Sequence, residues 1–436
     1  MKFDTLIIGG GIAGLSCALR CQQQGQKTAV LTKGQSAMHF SSGSIDVLAH
    51  LPSGELVSNP FSAITQLTQQ KPQHPYAKIG AEKVKKSLHW FTEKMAQEGL
   101  NLISHHDASD EDLNHVRLTP MGLFKATWAS QDTVYPFIQQ NPAQGLSHIT
   151  LMTFEGFRDF QPELASANLK ALPQFKKVEV DCVSIEMKEF DAFSRNPCEF
   201  RSIDISNILE NEEVIHSFAR YMSMLVKKST DIVVLPAVFK GKKGTQHINL
   251  LKKLTGLTIC EMPTTPPSLL GIRIESALKQ LYKEAGGYML EGDEVKKGEF
   301  KEGALTGIYT KNYKDYPLLA DNFVLATGSF FSHGLKANKT DIYEGVFDLD
   351  VEYNTPRKQW RADDFFPKQG HPFLAFGVKT DENFRPYYKG TLIHNLYCAG
   401  AILAHYHPVI EGSGNGVAIS TGYYVAGKII NHSERS

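Results

Sequence analysis

Gly9, Gly11 and Gly14 stand in the spacing G-x-G-x-x-G near the start of the chain. At such positions the backbone, rather than any side chain, does the chemistry. Gly9 lets the chain turn sharply. Gly11 lets the backbone approach a pyrophosphate, and Gly14 lets a following helix lie close to a sheet. The N–H groups and positive end of that helix would then face phosphate oxygens. The triplet alone is weak evidence, so its weight comes from its neighbours. Asp4-Thr5-Leu6-Ile7-Ile8 precedes it as a short apolar run rich in β-branched residues, which reads as a buried strand. Leu15, Ala18, Leu19 and Gln22 follow on one helical stripe, Gly25 closes the helix, and Thr28-Ala29-Val30-Leu31-Thr32 reads as a second strand.

The end of that second strand departs from the usual pattern. Proteins that bind NAD, and many that bind FAD, place Asp or Glu there to hold a ribose hydroxyl. Here the residue is Thr32, followed by Lys33 and Gly34. Thr32 can accept a hydrogen bond but brings no charge, which counts against a conventional NAD site and leaves an FAD adenosine site open. The small, polar run from Gln35 to Ser44 comes next. Its Ser41, Ser42 and Gly43 are expected to lie along a flavin, as a similar Ser/Gly-rich loop does in succinate dehydrogenase and fumarate reductase flavoproteins; an ordinary surface loop is the plain alternative.

Two later segments extend the cofactor reading. Asn322 to Leu325 forms a strand-like run ending in Ala326-Thr327-Gly328, a turn that recurs where a later strand returns to a flavin. Leu396-Tyr397-Cys398-Ala399-Gly400 is a second strand and turn. Glu411-Gly412-Ser413-Gly414-Asn415-Gly416 then opens a helix-like run through Ala426. The positive end of such a helix would stabilise an anionic reduced flavin. The expected cofactor-binding residues are therefore Gly9, Gly11, Gly14, Thr32, Lys33, Ser41, Ser42, Gly43, Thr327, Gly328, Gly400, Gly412, Gly414 and Gly416. Only one strand–glycine–helix unit is present, whereas a flavoenzyme with its own NAD(P)H domain usually shows two.

Oxidising a secondary alcohol needs a base, and a phosphorylated substrate calls for Arg or Lys. His39, Arg273, Arg385, His405 and His407 fall near the flavin-type segments. Each reads equally as a satisfied structural or surface residue, so no catalytic base is assigned. The six cysteines, Cys17, Cys21, Cys182, Cys198, Cys260 and Cys398, show no iron–sulfur or zinc spacing. Cys17 and Cys21 share a helix face and read as small buried hydrophobes. No metal centre is expected on this chain.

Composition sets outer limits. Lys+Arg and Asp+Glu both total 46, so the formal charge is zero and nothing favours a nucleic-acid partner. The sequence has no apolar run of about 18 residues that would span a membrane. Nor does its start resemble a secretory signal, so the chain is expected to stay in the cytosol.

The 436 residues exceed what one hydrophobic core accommodates. The fold expected is α/β: a Rossmann-like two-dinucleotide-fold flavoprotein domain with a large inserted α/β domain. The flavin domain takes residues 1–50, 261–345 and 371–436, the insert takes 51–260, and 346–370 is a short insertion. Within the insert, Val84, Leu88, Phe91 and Met95 mark one helix and Val214, Phe218, Met222 and Leu225 another. His148 to Phe154 and Asp231 to Pro236 read as strands. The polar stretch from Lys188 to Glu213 reads as solvated surface. After it, Met262 to Arg273 re-enters the flavin domain, and a helix with Ile274, Leu278 and Leu281 on one face runs to Gly286-Gly287.

Several blocks together carry a family resemblance. They are Lys33-Gly34-Gln35-Ser36-Ala37, His39-Phe40-Ser41-Ser42-Gly43-Ser44, Thr119-Pro120 with Thr127-Trp128, Pro266-Pro267-Ser268 with Leu270-Gly271-Ile272-Arg273, and Gly292 to Lys297. Gly328-Ser329-Phe330-Phe331-Ser332 and Phe376-Gly377-Val378 with Thr380-Asp381-Glu382 extend them. In these the sequence resembles, over nearly its whole length, the B subunits of anaerobic glycerol-3-phosphate dehydrogenases. The resemblance implies a flavin subunit that assists oxidation of sn-glycerol 3-phosphate to dihydroxyacetone phosphate. Electrons would pass to quinone and on to fumarate or nitrate. It implies FMN, whereas the glycine cradle suits FAD as well. It further implies two partners in one complex: a catalytic flavoprotein (the A subunit), and an iron–sulfur protein (the C subunit) that docks the complex at the cytoplasmic face of the inner membrane. The alternatives are a self-sufficient, fumarate-reductase-like flavin dehydrogenase or reductase acting on another small organic substrate and, more weakly, a NAD-linked dehydrogenase.

Overall fold

The computed structural model describes residues 2–190 and 199–433. Cys198, and part of the polar stretch read as solvated, fall outside the described residues. The chain divides into two compact units. The first comprises residues 1–37, 46–95 and 277–436, and the second comprises 38–45 and 96–276. The flavin-domain boundaries expected from sequence lay instead at 50/51 and 260/261.

The first unit is built on five parallel strands: β1 (Lys2–Ile8), β2 (Thr28–Thr32), β3 (Tyr288–Glu291), β4 (Leu319–Leu325) and β5 (Leu396–Cys398). Their order in the sheet is β3-β2-β1-β4-β5. The central strands are continuously apolar because a parallel sheet is covered on both faces; Leu6, Ile7, Val30, Val324 and Leu325 are all buried. Helix α1 (Ile12–Gln23) links β1 to β2 and buries almost its whole length, including Cys17 and Cys21. Gly25, at φ +81°, ends it as expected. The last helix, Gly414–Ser433, is longer than its sequence signal and packs along α1. Small residues make that approach possible: a Cβ on Gly422 would lie 2.3 Å from the Ala13 carbonyl oxygen.

The helix Ala81–Gln97 buries Val84, Leu88, Phe91 and Met95, the stripe read from sequence. Ahead of it, Pro60–Gln70 starts with Pro at its first position, and Asn59 caps it by accepting the Phe61 and Ser62 N–H groups.

The second unit holds a four-stranded parallel sheet in the order Ile259–Met262, Ile232–Pro236, His148–Phe154, Glu179–Ile185. It is α/β, as the alternating pattern implied. Two details differ from the sequence reading. Leu225 is 46% exposed because the helix Glu212–Leu225 ends there, leaving Val214, Phe218 and Met222 as the buried stripe. The polar stretch is not simply solvated, because Phe190, Phe200 and Ile205 within it are buried. Polar residues hid these apolar anchors in the composition.

Candidate functional site

The first unit holds most of the expected cofactor residues, with Gly9, Gly11, Gly14, Thr327 and Gly328 at the carboxyl ends of β1 and β4. Gly9 leaves β1 at φ +118°, and a Cβ there would lie 2.3 Å from the Ala326 carbonyl oxygen. Gly14 is tighter still, with a Cβ position 2.0 Å from the Gly9 carbonyl oxygen. Gly11 is different: a Cβ there meets no atom within 4 Å. It occupies the N-cap of α1 in extended backbone, with no side-chain cap and no acidic residue in the first turn. Two glycines are thus required by protein packing, while the third faces open space at an uncapped helix end. That is the arrangement an anionic phosphate fits.

Thr32 lies beside this turn, its Cβ 3.1 Å from where a Cβ on Gly10 would sit. Its hydroxyl donates to the Gly34 carbonyl at 2.8 Å and keeps lone pairs to accept. Lys33 points to the surface and pairs with Glu294 at 2.9 Å.

After β4, Ala326 N–H donates to Ile8 C=O, which brings Thr327 next to the glycine turn. The Thr327 hydroxyl is buried and has no hydrogen-bond partner among the described residues. Gly328 follows at φ +80°. Gly334, which the sequence reading passed over, closes on both: a Cβ there would lie 1.9 Å from the Gly328 carbonyl and 2.9 Å from Thr327 Oγ1. No strand or helix periodicity announced it.

Gly400, at φ +77°, lies against the first turn of α1, its Cβ position 2.7 Å from Ala13 Cβ. Its N–H donates to Thr421 Oγ1 at 2.9 Å, tying the β5 turn to the last helix. At the start of that helix, a Cβ on Gly412 would meet Ala49 Cβ at 2.6 Å, and one on Gly416 would meet Tyr76 Oη at 2.2 Å. Gly416 N–H donates to Asp46 C=O. Gly414 begins the helix. Segment 46–51 and Tyr76 thus define this second glycine-rich entry.

Ser41, Ser42 and Gly43 belong to the second unit. Gly43, at φ +69°, is packed there against the Leu270 side chain and Gln131, and the Ser41 hydroxyl accepts its N–H. Gln131 donates to the carbonyls of Gly43 and Leu270.

The candidate reactive side chains are mostly engaged. Arg273 makes a buried two-point pair with Glu261, both N···O distances being 2.7 Å, and also donates to Gln131 and Phe239 C=O. It is not free to hold a substrate phosphate. Arg385 pairs with Asp381, His405 with Glu352, and His39 with Glu275. His407 accepts the Ile410 N–H at Nδ1, and burial lowers its pKa. None is assigned as a base. Among the described residues, only His148, Glu179 and Asp181 are spaced as metal ligands could be, and the Lys227 ammonium already bonds both carboxylates.

This cradle defines a flavin-binding oxidoreductase fold. A family described as "FAD binding domain" matches residues 4–417, and the chain belongs to it. Its curated relatives are narrower. The B subunit of anaerobic glycerol-3-phosphate dehydrogenase from Aliivibrio fischeri (strain MJ11) is 47% identical over 99% of this chain and 96% of its own. That of Vibrio vulnificus (strain CMCP6) is 46% identical over 97% of this chain and 94% of its own. That of Yersinia pestis bv. Antiqua (strain Antiqua) is 37% identical over 99% of both. The chain is a member of the family of anaerobic glycerol-3-phosphate dehydrogenase B subunits.

Proposed function

We propose that this chain is the flavin subunit of an anaerobic sn-glycerol-3-phosphate dehydrogenase. It supports oxidation of glycerol 3-phosphate to dihydroxyacetone phosphate and passes electrons toward quinone. The observation that carries the reading is the open, uncapped helix end at Gly11, framed by the close-packed Gly9 and Gly14 and by the buried Thr327 hydroxyl, which has no partner among the described residues.

FAD is the cofactor we infer in preference to FMN. The G-x-G-x-x-G cradle is suited to a pyrophosphate, which FAD has and FMN lacks. The Gly9–Gly14 turn would hold the phosphates, Thr32 would accept from the ribose, and the Gly412–Gly416 entry would face the ring system. A flavin held there would supply two-electron redox chemistry, the kind needed when a secondary alcohol is oxidised to a ketone. The chain's own residues would serve to bind and orient the cofactor.

The partners proposed are a catalytic flavoprotein and an iron–sulfur protein of the same complex. The relatives are named as B subunits, which implies that other subunits exist. No described helix is long and apolar enough to cross a membrane, so attachment to the inner membrane would run through a partner.

Acid release of the cofactor from purified protein tests the first claim: an adenine-containing flavin is expected, and FMN alone would refute FAD. Mixing the chain with glycerol 3-phosphate tests the second. Flavin reduction should require the partner flavoprotein; reduction by the isolated chain would favour the self-sufficient dehydrogenase instead.

A further inference from the structure

Immediately before Gly412 stands Glu411, only 1% exposed. A lone carboxylate so placed would be strongly destabilising. Oε1 accepts from Lys71 Nζ at 2.8 Å. Oε2 accepts from His74 Nε2 at 3.2 Å and from the Ser413 hydroxyl at 3.1 Å. His74 can serve in one tautomer only, because its Nδ1 accepts the Tyr76 N–H at 3.0 Å. The imidazole is therefore neutral, and the cluster holds one negative and one positive charge. The two are not equivalent: the Lys71 side chain is 36% exposed, so water screens the ammonium far more than the carboxylate.

The main chain adds to the design. The Glu411 carbonyl accepts N–H groups from Ala49 at 2.7 Å and His50 at 3.1 Å. Glu411 thus ties together segments 46–51 and 71–76 and the entry to the last helix. Stability alone is a poor reason for a buried ion pair, since apolar replacements of similar volume are often no worse. A charge fixed in a low-dielectric setting does, however, act strongly on any electron-accepting group nearby.

We propose that Glu411 and Lys71 are a positioning and tuning pair for the flavin at this helix entry, the carboxylate disfavouring its electron-rich reduced form and the ammonium partly offsetting that effect. The inference rests on the flavin reading above and deepens it.

The test is the midpoint potential of the FAD-loaded full chain, measured by spectroscopic redox titration for wild type, Glu411→Gln and Lys71→Met. Glu411→Gln removes a negative charge and should raise the potential. A tenfold shift in the oxidised-to-reduced ratio corresponds to about 30 mV for a two-electron couple. Lys71→Met should lower it, by less. A purely structural role predicts that both variants loosen the site and move the same way, toward free flavin. That result, or no shift in either, overturns the proposal. Should Glu411→Gln fail to fold, Lys71→Met at the solvent-facing end still decides, since a raised or unchanged potential would refute the idea. Wild-type protein that takes up no flavin would sink the flavin reading itself, whereas bound flavin with unmoved potentials would sink only this inference.

Discussion

The Cβ that any residue but glycine would carry at Gly14 falls 2.0 Å from the carbonyl oxygen of Gly9. Helix α1 and the turn that feeds it are in contact through bare backbone. Gly14→Ala must push them apart, so a loss of about 1–3 kcal/mol in stability is expected, together with loss of flavin. Gly11→Ala is the contrasting case. Its methyl group meets no atom within 4 Å, so cofactor-free stability should stay within about 0.5 kcal/mol of wild type while flavin retention falls. Thermal unfolding of the cofactor-free protein and flavin content after gel filtration check both.

Acid should unfold the first unit in a way traceable to two residues. The Glu411 carboxyl is held at about 2: burial pushes it up, but the hydrogen bond from His74 and the hydrogen bond and charge of Lys71 outweigh that. A carboxyl depressed in the folded state stabilises above its unfolded value, roughly 4.3, and that contribution is lost as the pH falls toward 2. His74 is lowered chiefly by burial, so it also destabilises on acidification, starting below the unfolded imidazole value of about 6.5. Two successive losses are expected, the lower on the order of 1–3 kcal/mol. Denaturant midpoints measured across the acid range should show Glu411→Gln lacking the lower step. An unchanged acid limb would contradict this account.

The sequence exposed whatever depends on local periodicity or on glycine spacing. The strand at Asp4–Ile8, α1, the Val84–Met95 stripe and the Thr327-Gly328 turn were all visible, because apolar runs, 3.6-residue stripes and short glycine motifs are written in neighbouring residues. The Glu411 cluster was not, since Lys71 and His74 lie some 340 residues before it and nothing local marks them as its partners. Gly334 was missed for the same reason: only the return of a loop onto Gly328 makes a side chain impossible there. Arg273 illustrates the reverse. Its type suggested phosphate binding, but Glu261, twelve residues away on a different element, already occupies it.

That buried pair gives a stability prediction independent of any ligand. Arg273 and Glu261 have side chains 3% and 0% exposed. Removing one partner, as in Arg273→Met, should cost about 3–5 kcal/mol because it strands the other charge. Replacing both, with Glu261→Leu added, should recover much of the loss. A double-mutant cycle by urea unfolding measures the coupling, and additive losses would show that the pair is not acting as a unit.

Thr327 offers the sharpest separation of folding from binding. Its hydroxyl is buried beside the glycine turn and has no hydrogen-bond partner among the described residues. A buried hydroxyl left unpaired costs about 1–3 kcal/mol, so removing it isosterically should not harm the cofactor-free protein. Thr327→Val is therefore expected to leave stability unchanged or slightly raised without flavin. With flavin present the sign should reverse, because a hydrogen bond from that hydroxyl to the cofactor would be worth roughly 0.5–1.5 kcal/mol, or about two- to twelvefold in affinity. Paired measurements of unfolding midpoint and flavin dissociation constant decide it. If Thr327→Val destabilised the cofactor-free protein and left flavin affinity intact, the hydroxyl would be serving the fold instead, and the β4 turn would lose its place in the cofactor site.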